Sequence, residues 1–131
     1  MRVMHVMAGA AEGGAENIML ESVLALAETD LEQHVVTRPD NGFRIQKFRE
    51  AGIGVDVAAF NNSWPFPTRR VIGDAIARFK PDVIEYWMGR AGQFAPKQYR
   101  ARSIGWYGGY YKLARFTNCE WHVGLTIDLL R

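Results

Sequence analysis

At 131 residues, 48% hydrophobic and 23% charged, the chain has the size and composition of one globular domain with its own core, and no low-complexity tract suggests disorder. Its 16 basic and 14 acidic residues leave a net charge of +2, too balanced to hold nucleic acid by charge alone. A single cysteine, Cys119, excludes an internal disulfide and suits a reducing, cytoplasmic compartment.

The chain opens with Arg2 to Met7, a nearly continuous apolar run of the kind found in a parallel strand covered on both faces. With Ala8-Gly9-Ala10 this run mimics a signal peptide, but it is too short and His5 interrupts it. A loop of small residues follows, and Ala15 to Glu28 reads as a helix. Ile18, Met19, Ser22, Val23, Ala25 and Leu26 form the expected core stripe, and Leu20 and Leu24 lie off it. His34 to Thr37 is the second strand. Phe43 to Ala51 is a short helix with Phe43, Lys47/Phe48 and Ala51 in register, and Gly52 stands where a glycine C-cap belongs.

Gly54 to Ala58 is the third strand, and Asn61 to Pro67 has the chemistry of a loop. Thr68 is placed to cap a helix with a stripe of Val71, Ile72, Ala75, Ile76 and Phe79. Val83 to Trp87 is the fourth strand and Met88 to Gly92 a loop. Gln93 to Ala101 is ambiguous because Pro96 sits inside it. Ser103 to Trp106 is a short strand that runs into the glycine turn Tyr107 to Tyr111, and after a brief helical stretch Cys119 to Leu125 is a further strand. Thr126 reads as the N-cap of a helix that has barely begun at Arg131, so residues 1–131 read as an incomplete domain of a longer protein.

Repeated strand–helix alternation specifies an α/β fold: a Rossmann-like, open, mostly parallel sheet with helices on both faces. Ligands of such sheets bind beyond the carboxyl ends of the strands, where the loops Ala8 to Glu16, Met88 to Gly92 and Tyr107 to Tyr111 fall. In the first loop, glycines at the start of a helix aim backbone N–H groups and the positive helix end at one point, a site for an anion. Gly9 and Gly14 have the spacing of a P-loop, but Ala15-Glu16 replaces the Lys-Ser/Thr pair that the phosphates need, which removes a P-loop NTPase. The G-x-G-x-x-G fingerprint is also absent, since Ala10, Ala11 and Glu12 follow Gly9. Thr37-Arg38 stands where an acidic ribose ligand belongs, which leaves an NADP-binding domain as a minor alternative.

Four further features bear on chemistry. Cys119 and His122 make one Cys/His pair with no second, so they are not a zinc site. His5 and His34 have no ligand-type neighbours in sequence and read as structural. The segment Arg90 to Arg115 holds Lys97, Arg100, Arg102 and Lys112 among aromatics and no acidic residue; it is the basis of an alternative reading, a stand-alone module for nucleic acid or an anionic partner. Trp87, Tyr107, Tyr110 and Tyr111 are candidates to stack on sugar rings, with packing in the core as the alternative for each.

The segment Met1 to Thr37, with His5-Val6-Met7, Gly13-Gly14-Ala15-Glu16 and Val35-Val36-Thr37, resembles the start of the family 4 (group 1) glycosyltransferases of the GT-B fold. Ala51-Gly52-Ile53 before the third strand and Phe79 to Ile84 leading into the fourth extend the likeness over most of the chain. The resemblance implies the acceptor-side N-terminal domain of a retaining, metal-independent transferase, working with a C-terminal domain that holds the nucleotide. It implies a nucleotide-sugar donor and a glycan or lipid-linked acceptor, no further cofactor, no nucleic acid, and a cytoplasmic place at the inner face of the membrane with peripheral association. The candidate substrate-binding residues are Gly13, Gly14, Glu16, Trp87, Arg90, Tyr107, Gly108 and Gly109. Two departures stand out. Glu85-Tyr86-Trp87 and Trp106-Tyr107-Gly108 occupy places where the family often has histidine, so no catalytic histidine is carried over.

Overall fold

The computed structural model describes residues 1–10, 13–97 and 100–130. Ala11 and Glu12 of the first loop, Gln98 and Tyr99 of the ambiguous stretch, and Arg131 lie outside the described residues.

The strands are β1 (Arg2–Met7), β2 (Glu32–Thr37), β3 (Gly54–Val57), β4 (Val83–Trp87), β5 (Arg102–Tyr107) and β6 (Trp121–Gly124). Between them run α1 (Gly14–Leu26), α2 (Gly42–Glu50), α3 (Phe66–Phe79) and the one-turn α4 (Met88–Gly92), with 3-10 turns at Leu113–Phe116 and Ile127–Leu130. The six strands form one sheet in the order β3-β2-β1-β4-β5-β6, and every neighbouring pair is parallel. This is the Rossmann-like α/β architecture expected from the alternation.

The pleat divides the core into two layers. Met4, Val6, Val36, Ile84 and Tyr86 point to one side, against Ile72, Ala75 and Ile76 of α3, Ala91 of α4, and Phe116. Met7, Val35 and Trp87 point to the other, against Met19 and Val23 of α1 and Phe48 of α2. A β–helix–β crossover is right-handed. Connections running from β1 to β3 therefore fall on one face and those running toward β6 on the opposite one. Over β5 and β6 the α1/α2 face has no helix among the described residues, and Trp121 (57%) and Val123 (43%) remain exposed there.

β1 and β4 have the bounds read from the sequence, and Gly52 caps α2 as expected. Its φ is +78°, and the Gly52 and Ile53 N–H groups return to the Arg49 and Phe48 carbonyls, a Schellman ending. Several details are corrected. α1 buries Glu16, Met19 and Val23, with Leu20 packed alongside, while Ile18 and Ala25 face solvent. α2 buries Arg44, Ile45 and Phe48, and Phe43 is 69% exposed. α3 starts at Phe66 because prolines suit the first helical turn; Thr68 is not its cap but accepts the Phe60 N–H at 2.9 Å from within that turn. The expected loop Met88 to Gly92 is helical. Cys119 is buried in the turn before β6 rather than within the strand.

Phe116 is fully buried in a slot made by two glycines. A Cβ on Gly92 or Gly105 would stand 2.5 Å from its ring. Only a residue without a side chain lets β5 and α4 close on that ring.

Candidate binding crevice

β1 pairs with β2 on one side and β4 on the other, with Met7 opposite both Thr37 and Trp87. The connections run away from this point in opposite directions, so a crevice opens above the carboxyl ends of β1 and β4. Three segments converge there: residues 8–10 and 13–16 after β1, the β4–α4 junction, and Gly108-Gly109 after β5. A Cβ on Gly108 would lie 3.3 Å from the Ala15 Cβ and 3.7 Å from the Met88 Cγ. Gly108 therefore lets the β5 loop lie against the first turn of α1. At the junction itself Met88 has φ +67°, a left-handed backbone that non-glycine residues adopt at a cost of ~1–2 kcal/mol.

The glycine loop is tied down atom by atom. Gly9 turns with φ +65°. Asn41 Nδ2 donates to the Ala8 carbonyl at 3.0 Å and to Thr37 Oγ1 at 3.1 Å. Arg44 Nη1 donates to the Ala10 carbonyl and to Asn41 Oδ1, both at 2.8 Å. The Ala10 N–H donates to Glu16 Oε1 at 3.1 Å. Asn41, Arg44 and Glu16 are all buried, and Arg44 Nε has no partner among the described residues.

Gly13 and Gly14 differ in what they allow. Gly13, the N-cap of α1, is extended, and the Glu16 carboxylate folds back over it into the space a Cβ would fill. Gly14 has open space beside it. The N–H groups of the first turn of α1 have no intrahelical acceptors, so this corner presents donors beside one carboxylate. Donors and acceptors together suit a hydroxylated ligand as well as an anionic one.

The remaining predicted residues lie at different depths. Trp87 is buried, its Nε1 donating to His5 Nδ1 at 3.4 Å and its ring 4.5 Å from Trp106. Tyr107 is buried with its ring stacked on Phe116 at 4.3 Å and its hydroxyl 2.8 Å from His122 Nδ1; burial raises its pKa. Tyr111 is half-buried near the glycine loop. Burial and the Glu16 charge raise its pKa, and Arg115 opposes them. Arg90 is exposed on α4 with no ion pair among the described residues. Gly13, Gly14, Glu16, Gly108 and Gly109 thus form the lip of the crevice, while Trp87 and Tyr107 lie beneath it.

Sequence spacing missed Asn41 and Arg44, which reach the loop across more than thirty residues. It also missed the carboxylates beside the histidines. His5, fully buried, has Nε2 2.9 Å from Gln33 Oε1 and Nδ1 3.1 Å from Glu85 Oε2, and His34 Nε2 lies 2.8 Å from Asp56 Oδ2. Parallel pairing placed these acids on the neighbouring strands. No group of three or more metal-ligating side chains forms among the described residues.

Fold and crevice together define an α/β domain whose loops converge at the topological switch point of its sheet. No protein-family model matches the chain. It is 33% identical over 130 residues to the lipopolysaccharide core biosynthesis glycosyltransferase LpsD of Rhizobium meliloti (strain 1021), covering 98% of this chain and 38% of LpsD. It is 31% identical over 127 residues to LpsE of the same organism, also named a lipopolysaccharide core biosynthesis glycosyltransferase, covering 92% of this chain and 35% of LpsE. The chain thus spans little more than a third of the curated relatives it matches. The crystal structure of a glycosyltransferase from Rickettsia africae ESF-5 superposes with a TM-score of 0.67 at 16% identity, over 84% of this chain and 30% of that one. That likeness is one of fold.

Proposed function

We propose that this chain is the N-terminal, acceptor-side part of a glycosyltransferase of the GT-B fold, moving a sugar with retention from a nucleotide-sugar donor to a glycan or lipid-linked acceptor of surface polysaccharide. The observation that carries the reading is the convergence of the glycine loop, the first turn of α1 and Gly108-Gly109 on the switch-point crevice. The likeness to LpsD over nearly the whole chain supports it.

In this reading a C-terminal domain of the same protein holds the nucleotide across the crevice. The acceptor hydroxyl oxygen bonds to the anomeric carbon as the bond to the diphosphate breaks; negative charge gathers on the leaving group, whose freed oxygen takes the hydroxyl proton. Backbone N–H groups at Gly13 and Gly14, rather than a metal, meet that charge. Glu16 receives sugar hydroxyls, and Arg90 an anionic group of the acceptor. The protein works in the cytoplasm at the inner face of the membrane.

The test is titration of the chain with a core oligosaccharide acceptor and with nucleotide sugars, followed by assay with and without the downstream domain supplied in trans. Saccharide binding without turnover by the chain alone, and turnover once the second domain is present, are expected. Turnover by the 131 residues alone at an enzymatic rate sinks the two-domain reading. Tryptophan quenching by NADPH but by no nucleotide sugar replaces it with an oxidoreductase.

A further inference from the structure

Most aromatic rings among the described residues are buried or partly buried, but several stand exposed at one end. Trp64 and Phe66 are 62% and 65% exposed, and their rings meet edge to face at 5.5 Å. Each is followed by a proline, and Phe66 and Pro67 begin α3, so the pair stands on a stiff turn. Asn62 accepts from Gln93 Nε2 at 2.7 Å, which ties the turn to the segment after β4 at the carboxyl end of the sheet. Phe43, at the start of α2, is exposed at the same end.

The charge beside this pair has one sign. Between Asp56 and Asp74 the sequence holds Arg69 and Arg70 and no carboxylate. Both arginines are exposed, and the first turn of α3 has no acidic residue. Arg70 approaches Asp74 at 3.9 Å, one turn farther from the tip. Two arginines near a helix start oppose the dipole preference, so apart from the long, exposed Arg70–Asp74 approach their charge does not support α3. Lys47, in the last turn of α2, holds its ammonium 5.6 Å from the Phe43 ring.

We infer that the Trp64–Phe66 turn and the Arg69-Arg70 pair form a docking surface for an anionic phospholipid bilayer. Exposed Trp and Phe insert at the depth of the headgroups, and arginines beside them meet lipid phosphates. The charge complementarity selects a bilayer over a second copy of this chain, whose matching patch is equally positive. The inference rests on the membrane association in the functional reading above and names the surface that makes it. Docking there brings the carboxyl end of the sheet, and with it the crevice, toward the lipid.

The experiment is sedimentation of the chain with vesicles of pure phosphatidylcholine and with vesicles containing about 30% phosphatidylglycerol. No sugar is needed, so its failure leaves the donor and acceptor titrations standing. Partitioning onto the anionic vesicles and its decline with salt are expected. W64A/F66A should weaken it at least about tenfold. R69Q/R70Q should remove most of the preference for the anionic lipid, about fivefold per arginine. W121A, on the far edge, should bind as the parent does. Circular dichroism verifies that each variant is folded, which their exposure favours. Equal partitioning onto both vesicle types, undiminished binding by W64A/F66A, or loss confined to W121A would overturn the assignment. So would a concentration-dependent dimer abolished by W64A/F66A.

Discussion

Gly13 and Gly14 look equivalent in the sequence, and the packing separates them. A Cβ at Gly13 would evict the Glu16 carboxylate and break its bond from the Ala10 N–H, whereas Gly14 has room. Gly13→Ala should therefore lower stability by about 1 kcal/mol. Gly14→Ala should be neutral or raise it by up to about 1 kcal/mol through helix propensity. Urea unfolding of the two variants side by side decides this, and equal effects would show that Glu16 does not hold the loop. Asp56 gives a prediction in pH. Burial pushes its carboxyl up, but the hydrogen bonds and charges of His34 and Arg78 outweigh that and hold it below 3.8. A carboxyl lowered in the folded state contributes stability that is complete above the unfolded value and lost as pH falls through the folded one. Asp56→Asn should flatten the loss of stability below about pH 4, measured as the denaturation midpoint at successive pH values. The glycine loop was legible because glycine and a helix start announce themselves locally. Asn41 and Arg44 were not, because what makes them important is a carbonyl brought near by folding.

Among the elements, strand periodicity was read well where both faces are buried: β1 and β4 were found to the residue. Helix faces were read less well. The apolar set of α1 wraps around the helix, so Ile18 and Met19 are equal in the sequence; only Met19 meets the sheet. In α2 the aromatic Phe43 looked like core, yet the helix turns Arg44 inward to reach Ala10. That choice follows from a polar bond that periodicity does not register. The Phe116 slot yields a sharper prediction. Gly105→Ala places a methyl 2.5 Å from the ring and should cost about 1–3 kcal/mol by overpacking. Phe116→Leu in that background should recover part of the loss, since the smaller side chain vacates the edge of the slot. A thermal melt of the double variant below that of Gly105→Ala would show that the glycine serves the backbone instead.

For the whole molecule, fold class was legible because alternating strands and helices admit few arrangements, and handedness prunes those further. The crevice followed from the same rule. Which rings face it did not, because Trp87 and Tyr107 sit at strand ends where one residue decides between lip and core. Handedness also leaves Trp121 and Val123 bare over β6, an edge strand with an apolar face. Trp121→Lys with Val123→Lys should reduce concentration-dependent association in light scattering while leaving the fold's circular dichroism intact. Unchanged association would locate the sticky surface elsewhere. The strand order carries a cost in time as well. Among the described residues every ladder is parallel and none is a hairpin, so no two of these strands can pair before the segment between them has been laid down. β1 is synthesised before either of its partners: it finds β2 some thirty residues later, and its second partner only when Trp87 arrives opposite Met7. Until then half of its hydrogen-bonding edge is open. Folding should accordingly be slow for a chain of this length, with the central ladder closing late and the exposed first strand the place where a growing chain is most open to chaperones or to its own neighbours.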